Sequence, residues 1–115
     1  MSEENIQIPM DIYESDQELV ILVPMWGVLK SSVKISLENT SLHLEGVREK
    51  PDIKDTLVEK QQQCFWWEFS KSIQLPNNVY FDKIHSKLTK DNVLVIVVPK
   101  VVIPSKTEIQ IQIQD

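Results

Sequence analysis

Hydrophobic and polar residues alternate with a period of two along much of this chain. That period turns successive side chains to opposite faces of a β-strand. Val33-Lys34-Ile35-Ser36-Leu37 alternates strictly, as does Ser41-Leu42-His43-Leu44-Glu45-Gly46, and Glu38-Asn39-Thr40 between them reads as a turn. Phe65 to Leu75 alternates as well: Phe65, Trp67, Phe69, Ile73 and Leu75 share one face, and Trp66, Glu68, Ser70 and Gln74 the other. Ile84, Ser86 and Leu88 mark one face of a shorter strand. Two segments, Leu19 to Val23 and Val93 to Val98, are continuous apolar runs of strand length, the pattern of core strands. Asp11-Ile12-Tyr13-Glu14 is a brief strand after Pro9, and Thr56-Leu57-Val58-Glu59 another inside the polar stretch from Arg48 to Gln63. About eight short strands with turns every 8–12 residues predict an all-β, antiparallel sandwich.

Composition sharpens that picture. The chain has 115 residues, enough for one domain with its own core, and it carries 13 Ile and 13 Val but no Ala. Val and Ile favour strands, and Ala is the best helix former. Two glycines, Gly27 and Gly46, argue against a Gly-rich phosphate loop. The net charge is −5 with a single Arg, and no basic stripe accompanies the aromatics, so nucleic acid is not an expected partner. Nor is a membrane, because the longest apolar run is far short of a span. One cysteine, Cys64, excludes an internal disulfide framework, and the acidic start has no apolar region of a signal peptide. A reducing cytoplasm is the expected location.

Candidate chemistry is sparse. His43 and His85 are the only histidines, without ligand spacing between them, and no G-x-S-x-G surrounds any serine. Cys64 neighbours an aromatic run, a packing context more than that of an activated thiolate. No enzyme activity, metal or cofactor is expected. Trp66, on the polar side of its strand, is expected to be exposed and to serve as an interface anchor. The tail is the unusual feature: after Pro104, Ile109, Ile111 and Ile113 alternate with glutamines, and no turn folds them back. Such a strand is an aggregation hazard unless it has a docking place. It fits either an edge strand of the domain's own sheet or a tail that docks into a neighbouring chain.

In this order the motifs resemble the small heat-shock protein (α-crystallin) family. The segments are Pro9 to Glu14, Gly27-Val28 with Val33-Lys34-Ile35, and Leu42-His43-Leu44-Glu45-Gly46-Val47-Arg48 (the family's L-x-I-x-G-x-R). They continue with Phe69 to Pro76 followed by Val79, Val93 to Lys100 (V-L-x-I-x-x-P-K), and the doubled I-x-I of Ile109, Ile111 and Ile113. Trp26 stands where the family usually has Pro, Trp67 where Gly is common, Lys71 where an Arg contributes to the dimer interface, and Asp91-Asn92 in place of an Asn-Gly turn.

The resemblance implies an immunoglobulin-like sandwich over residues 9–100, an arm at 1–8 and an extension at 101–115. It also implies a dimer formed by strand exchange, in which Thr56, Leu57, Val58 and Glu59 pair with the partner's sheet, with Arg48 and Lys71 at the interface. The tail would dock in a groove between Val33, Ile35 and Leu37 on one strand and Ile84, Ser86 and Leu88 on another, giving higher oligomers. The implied function is an ATP-independent holdase for unfolding client proteins. The alternative is an adaptor on the same sandwich, akin to co-chaperone CS domains, that binds one folded partner.

Overall fold

The computed structural model describes residues 8–102 and 111–114. Seven strands form two antiparallel sheets: β1 (Asp11–Glu14), β2 (Glu18–Pro24), β3 (Lys34–Glu38), β4 (Ser41–Arg48), β5 (Trp67–Gln74), β6 (His85–Leu88) and β7 (Val93–Pro99). One sheet has the order β1-β2-β7-β6, the other β3-β4-β5. The two continuous apolar runs become the central pair β2 and β7, with Ile21 directly opposite Ile96. Leu19, Ile21, Val23, Leu94, Ile96 and Val98 point inward, against Leu42 and Leu44 of β4 and Phe69 and Ile73 of β5. Ile8, which directly precedes Pro9, is buried in this core.

Short turns place the edges. Asn39 and Asn92 take left-handed backbone angles, φ 57° and 63°, a region that Asn enters more readily than most residues. The Asp91-Asn92 turn therefore closes β6 onto β7, and the Asn92 carbonyl accepts a bond from Met25 N–H at 2.7 Å. Lys100 fastens the β1–β2 hairpin to the end of β7: its Nζ donates to Glu14 at 2.6 Å and to the Ser15 carbonyl at 3.0 Å. Every residue of β1 is exposed. Four strands stacked over three leave this edge without a facing strand.

Three expectations are corrected. Thr56 to Glu59 is not a strand in the single chain; Thr56 sits in a turn closed by Leu57 N–H to the Lys54 carbonyl. A strand needs a ladder partner, and no strand edge of its own sheets pairs with this segment among the described residues. The strand expected from Phe65 begins at Trp67, whose φ of 75° breaks the alternation there and turns its side chain out to solvent. Trp67 is thus not on the core face, although Phe69 and Ile73 are. Val33 precedes β3, as the residue that ends a short 3-10 turn over Lys30–Ser32.

Gly46 is needed for close packing. A Cβ there would stand 2.8 Å from Phe69 Cζ, and Phe69 is itself buried. Gly46→Ala is expected to cost about 1–3 kcal/mol through overpacking. The check is the thermal unfolding midpoint, which should drop by several degrees; an unchanged midpoint would show that the ring has room to move.

Candidate functional site

Two kinds of exposed apolar surface stand out. The first is a groove between the edge strands β3 and β6. Ile35 and Leu37 share a face because β3 alternates, and their register partners Leu44 and Leu42 fix that face as the inner one. β6 and the turn before it supply Ile84, His85 and Ser86 from the facing sheet. Together with Phe81, and with Leu42 and Ile96 as the floor, they line a depression of about 260 Å³. The structure therefore brings together Ile35, Leu37, Ile84 and Ser86. Val33 and Leu88 do not line it; both are half-buried against the core. Phe81 was missed because it lies on a 3-10 turn, Phe81–Lys83, where period-two alternation carries no signal.

The second comprises two exposed segments, the β1 edge and the loop that joins β4 to β5. Ile12 and Tyr13 are exposed on β1. Within the loop Ile53 and Leu57 are exposed, and Val58 is 81% exposed. Leu57, Val58 and Glu59 line a small depression with Ile53, Cys64 and Trp66. Trp66 is half-buried there, which corrects its expected exposure; the exposed ring is that of Trp67. The cause is the left-handed Trp67, which exchanges the faces of the two rings.

Arg48, the last residue before the loop, is only 3% exposed. Its Nε donates to the Trp26 carbonyl at 3.0 Å, and its guanidinium lies 4.4 Å from the Trp26 ring and 5.9 Å from that of Phe69. Such stacking partly replaces lost hydration. Burial lowers the pKa of the guanidinium from its ordinary value, and the nearby Cys64 works in the opposite direction. Arginine stays charged regardless. Gly27, at φ 74°, lets the chain pass tightly over this side chain: a Cβ there would stand 3.3 Å from Arg48 Cγ. Glu49 N–H to the Gly27 carbonyl and Leu29 N–H to the Val47 carbonyl fasten the crossing. Lys71 is half-buried and opposite Leu44 in the ladder, so it faces inward beside Phe69 and Ile73.

Of the tail, Ile111 and Ile113 are exposed, Ile113 at 92%, and neither belongs to a strand; Ile109 lies outside the described residues. On the outer face of β3-β4-β5, His43 is held between Ser72 (3.0 Å) and Glu38 (3.2 Å), a cross-strand polar chain that sequence reasoning did not find. Among the described residues no group of three His, Cys, Asp or Glu could hold a metal ion, and no helix is long and apolar enough to cross a membrane.

A two-sheet sandwich with a free edge strand, a long apolar-tipped loop and a groove between its edge strands defines the α-crystallin class of β-sandwich. The comparisons agree. Residues 11–114 match the model of the Hsp20/alpha crystallin family, and the chain belongs to that family. It is 32% identical over 108 residues to the chloroplastic small heat shock protein of Solanum lycopersicum, covering 94% of this chain and 44% of that protein. It is 28% identical over 90 residues to small heat shock protein C4 of Rickettsia felis, covering 78% of this chain and 55% of that protein. The chain thus spans about half the length of these relatives. Heat shock protein 16.0 from Schizosaccharomyces pombe superposes with a TM-score of 0.71 at 21% identity, covering 96% of this chain and all of that one. A small heat-shock protein from Xylella fastidiosa does so with 0.70 at 20%, covering 94% and 96%. The family is one of chaperones, not enzymes.

Proposed function

We propose that this chain is an ATP-independent holdase that captures apolar segments of unfolding proteins in a reducing cytoplasm. The observation that carries this reading is the open apolar groove of Ile35, Leu37, Phe81 and Ile84 in a chain that also carries the alternating isoleucines Ile109, Ile111 and Ile113. Burying one Ile stabilises by roughly 1.5–3 kcal/mol, so three give about 5–9 kcal/mol gross. Association costs on the order of 4–15 kcal/mol of lost freedom. A single docked tail is therefore weak and exchangeable, and several within one assembly hold by avidity. A groove that its own tail vacates easily is open to a client segment of the same chemistry.

The assembly unit in this reading is a dimer formed by strand exchange. The β1 edge presents backbone N–H and C=O groups for pairing, and the loop with Ile53, Leu57 and Val58 supplies an apolar segment that has no strand partner among the described residues.

The test is light scattering of a heat-labile client without ATP, across a series of chaperone-to-client ratios. Suppression that saturates near stoichiometric ratios is the expected result. No suppression at any ratio overturns the holdase reading. The adaptor reading moves ahead if one folded partner then binds stoichiometrically without stress.

A further inference from the structure

Among the described residues, large apolar side chains are exposed on β1, on the β4–β5 loop, at the groove and tail, and at Tyr80, Val101 and Val102 beside the end of β7. A further cluster is Trp26, Leu29 and Trp67, at the end of the sandwich where the β4–β5 loop leaves and returns. Nothing proposed above uses it.

Its two tryptophans converge on one residue. The Trp26 ring stacks on the Arg48 guanidinium at 4.4 Å, and Trp67 is the ladder partner of Arg48. Both rings remain about half in solvent, at 51% and 57% exposed. Trp67 also occupies the left-handed region at φ 75°, which glycine enters freely and a bulky residue does not. A strained backbone that keeps a large apolar ring in water points to a contact outside the chain. Arg48 and Trp67 are moreover the two roots of the loop. A segment that leaves its own body to pair with another copy crosses the subunit boundary at its roots.

We infer that Trp26 and Trp67 form a contact with a second copy of this chain, closing over the point where the exchanged loops cross. This inference rests on the strand-exchange reading. Stacking on the buried Arg48 holds the Trp26 ring in place before the partner arrives, so little side-chain freedom is lost on contact. The backbone turn at Trp67 aims its ring outward for the same purpose.

The test exploits opposite signs. Trp67→Gly and Trp67→Asn both suit a left-handed backbone, and Asn does so without the extra flexibility of Gly. In the Leu57→Asp/Val58→Asp background, expected to be monomeric, each should unfold at the same or a higher temperature than its parent. In the otherwise unchanged chain, each should weaken dimerisation at least tenfold by sedimentation, the loss of a buried tryptophan anchor. Dimers of unchanged affinity in both variants overturn the inference. So does a variant dimer of unchanged affinity that loses client protection, which makes the rings a client site. If Leu57→Asp/Val58→Asp separates the subunits while both Trp67 variants do not, only the tryptophan contact is wrong. If that double variant stays dimeric, strand exchange itself is wrong, and this inference falls with it.

Discussion

Replacing Leu57 and Val58 together by Asp is expected to turn dimers into monomers. Both side chains are exposed in the single chain, so their removal takes nothing from its core. In an exchanged pair they would lie against the partner's β1, where Ile12 and Tyr13 wait uncovered. Two lost apolar burials are worth roughly 3–6 kcal/mol. The new carboxylates must in addition be desolvated or left in water with the pairing broken. Even the lower figure weakens association by about a hundredfold at 1.4 kcal/mol per decade, and each dimer holds two such sites. Sedimentation equilibrium should report the monomer mass. Far-ultraviolet circular dichroism should keep its strand signature, because β1 to β7 do not depend on the loop. An intact dimer at micromolar concentration would falsify strand exchange through this segment.

The sandwich was legible because its burial follows simple periods. β3 and β4 alternate, and β2 and β7 are continuous apolar runs, so their faces follow from side-chain direction alone. The site was legible only where it rests on those periods. Ile35 and Leu37 were found because they repeat every second residue on an edge strand. Phe81 was not, since a 3-10 turn has no such repeat. Trp66 and Trp67 exchanged places because one left-handed residue resets the alternation, and Trp is a residue from which that angle is not expected. Thr56 to Glu59 has strand composition, yet a strand is defined by its partner, and the described residues of the single chain offer none. Arg48 illustrates a different gap. Resemblance placed it at an interface; the structure shows what composition could not, a guanidinium buried beneath Trp26 at the root of the β4–β5 loop.

Truncation after Ser105 is expected to collapse any assembly larger than a dimer, and a groove variant should reproduce the effect with the tail intact. Among the described residues, 111–114 pair with no strand, and Ile111 and Ile113 lie open to water. Alternation of Ile with Gln gives one apolar and one polar face, the pattern of a segment that lies in a groove with its backbone extended. Ile84→Asp puts a carboxylate into the depression that Ile35, Leu37 and Phe81 line. Ile84 is half-buried and packs against the core, so its unfolding midpoint has to be checked beside its mass. Leu37→Asp provides a second route, because Leu37 is exposed and its loss should barely move that midpoint. Each docked tail contributes weakly, and multivalency makes the dependence steep: an assembly held by many such links dissociates once each link weakens by a few kcal/mol. Native mass spectrometry of the three proteins should show dimers throughout. If the parent forms large assemblies and the truncated chain forms them equally well, bridging by the tail is wrong. If truncation dissolves them and both groove variants do not, the tail docks elsewhere, and the holdase loses the groove as the place where tail and client compete.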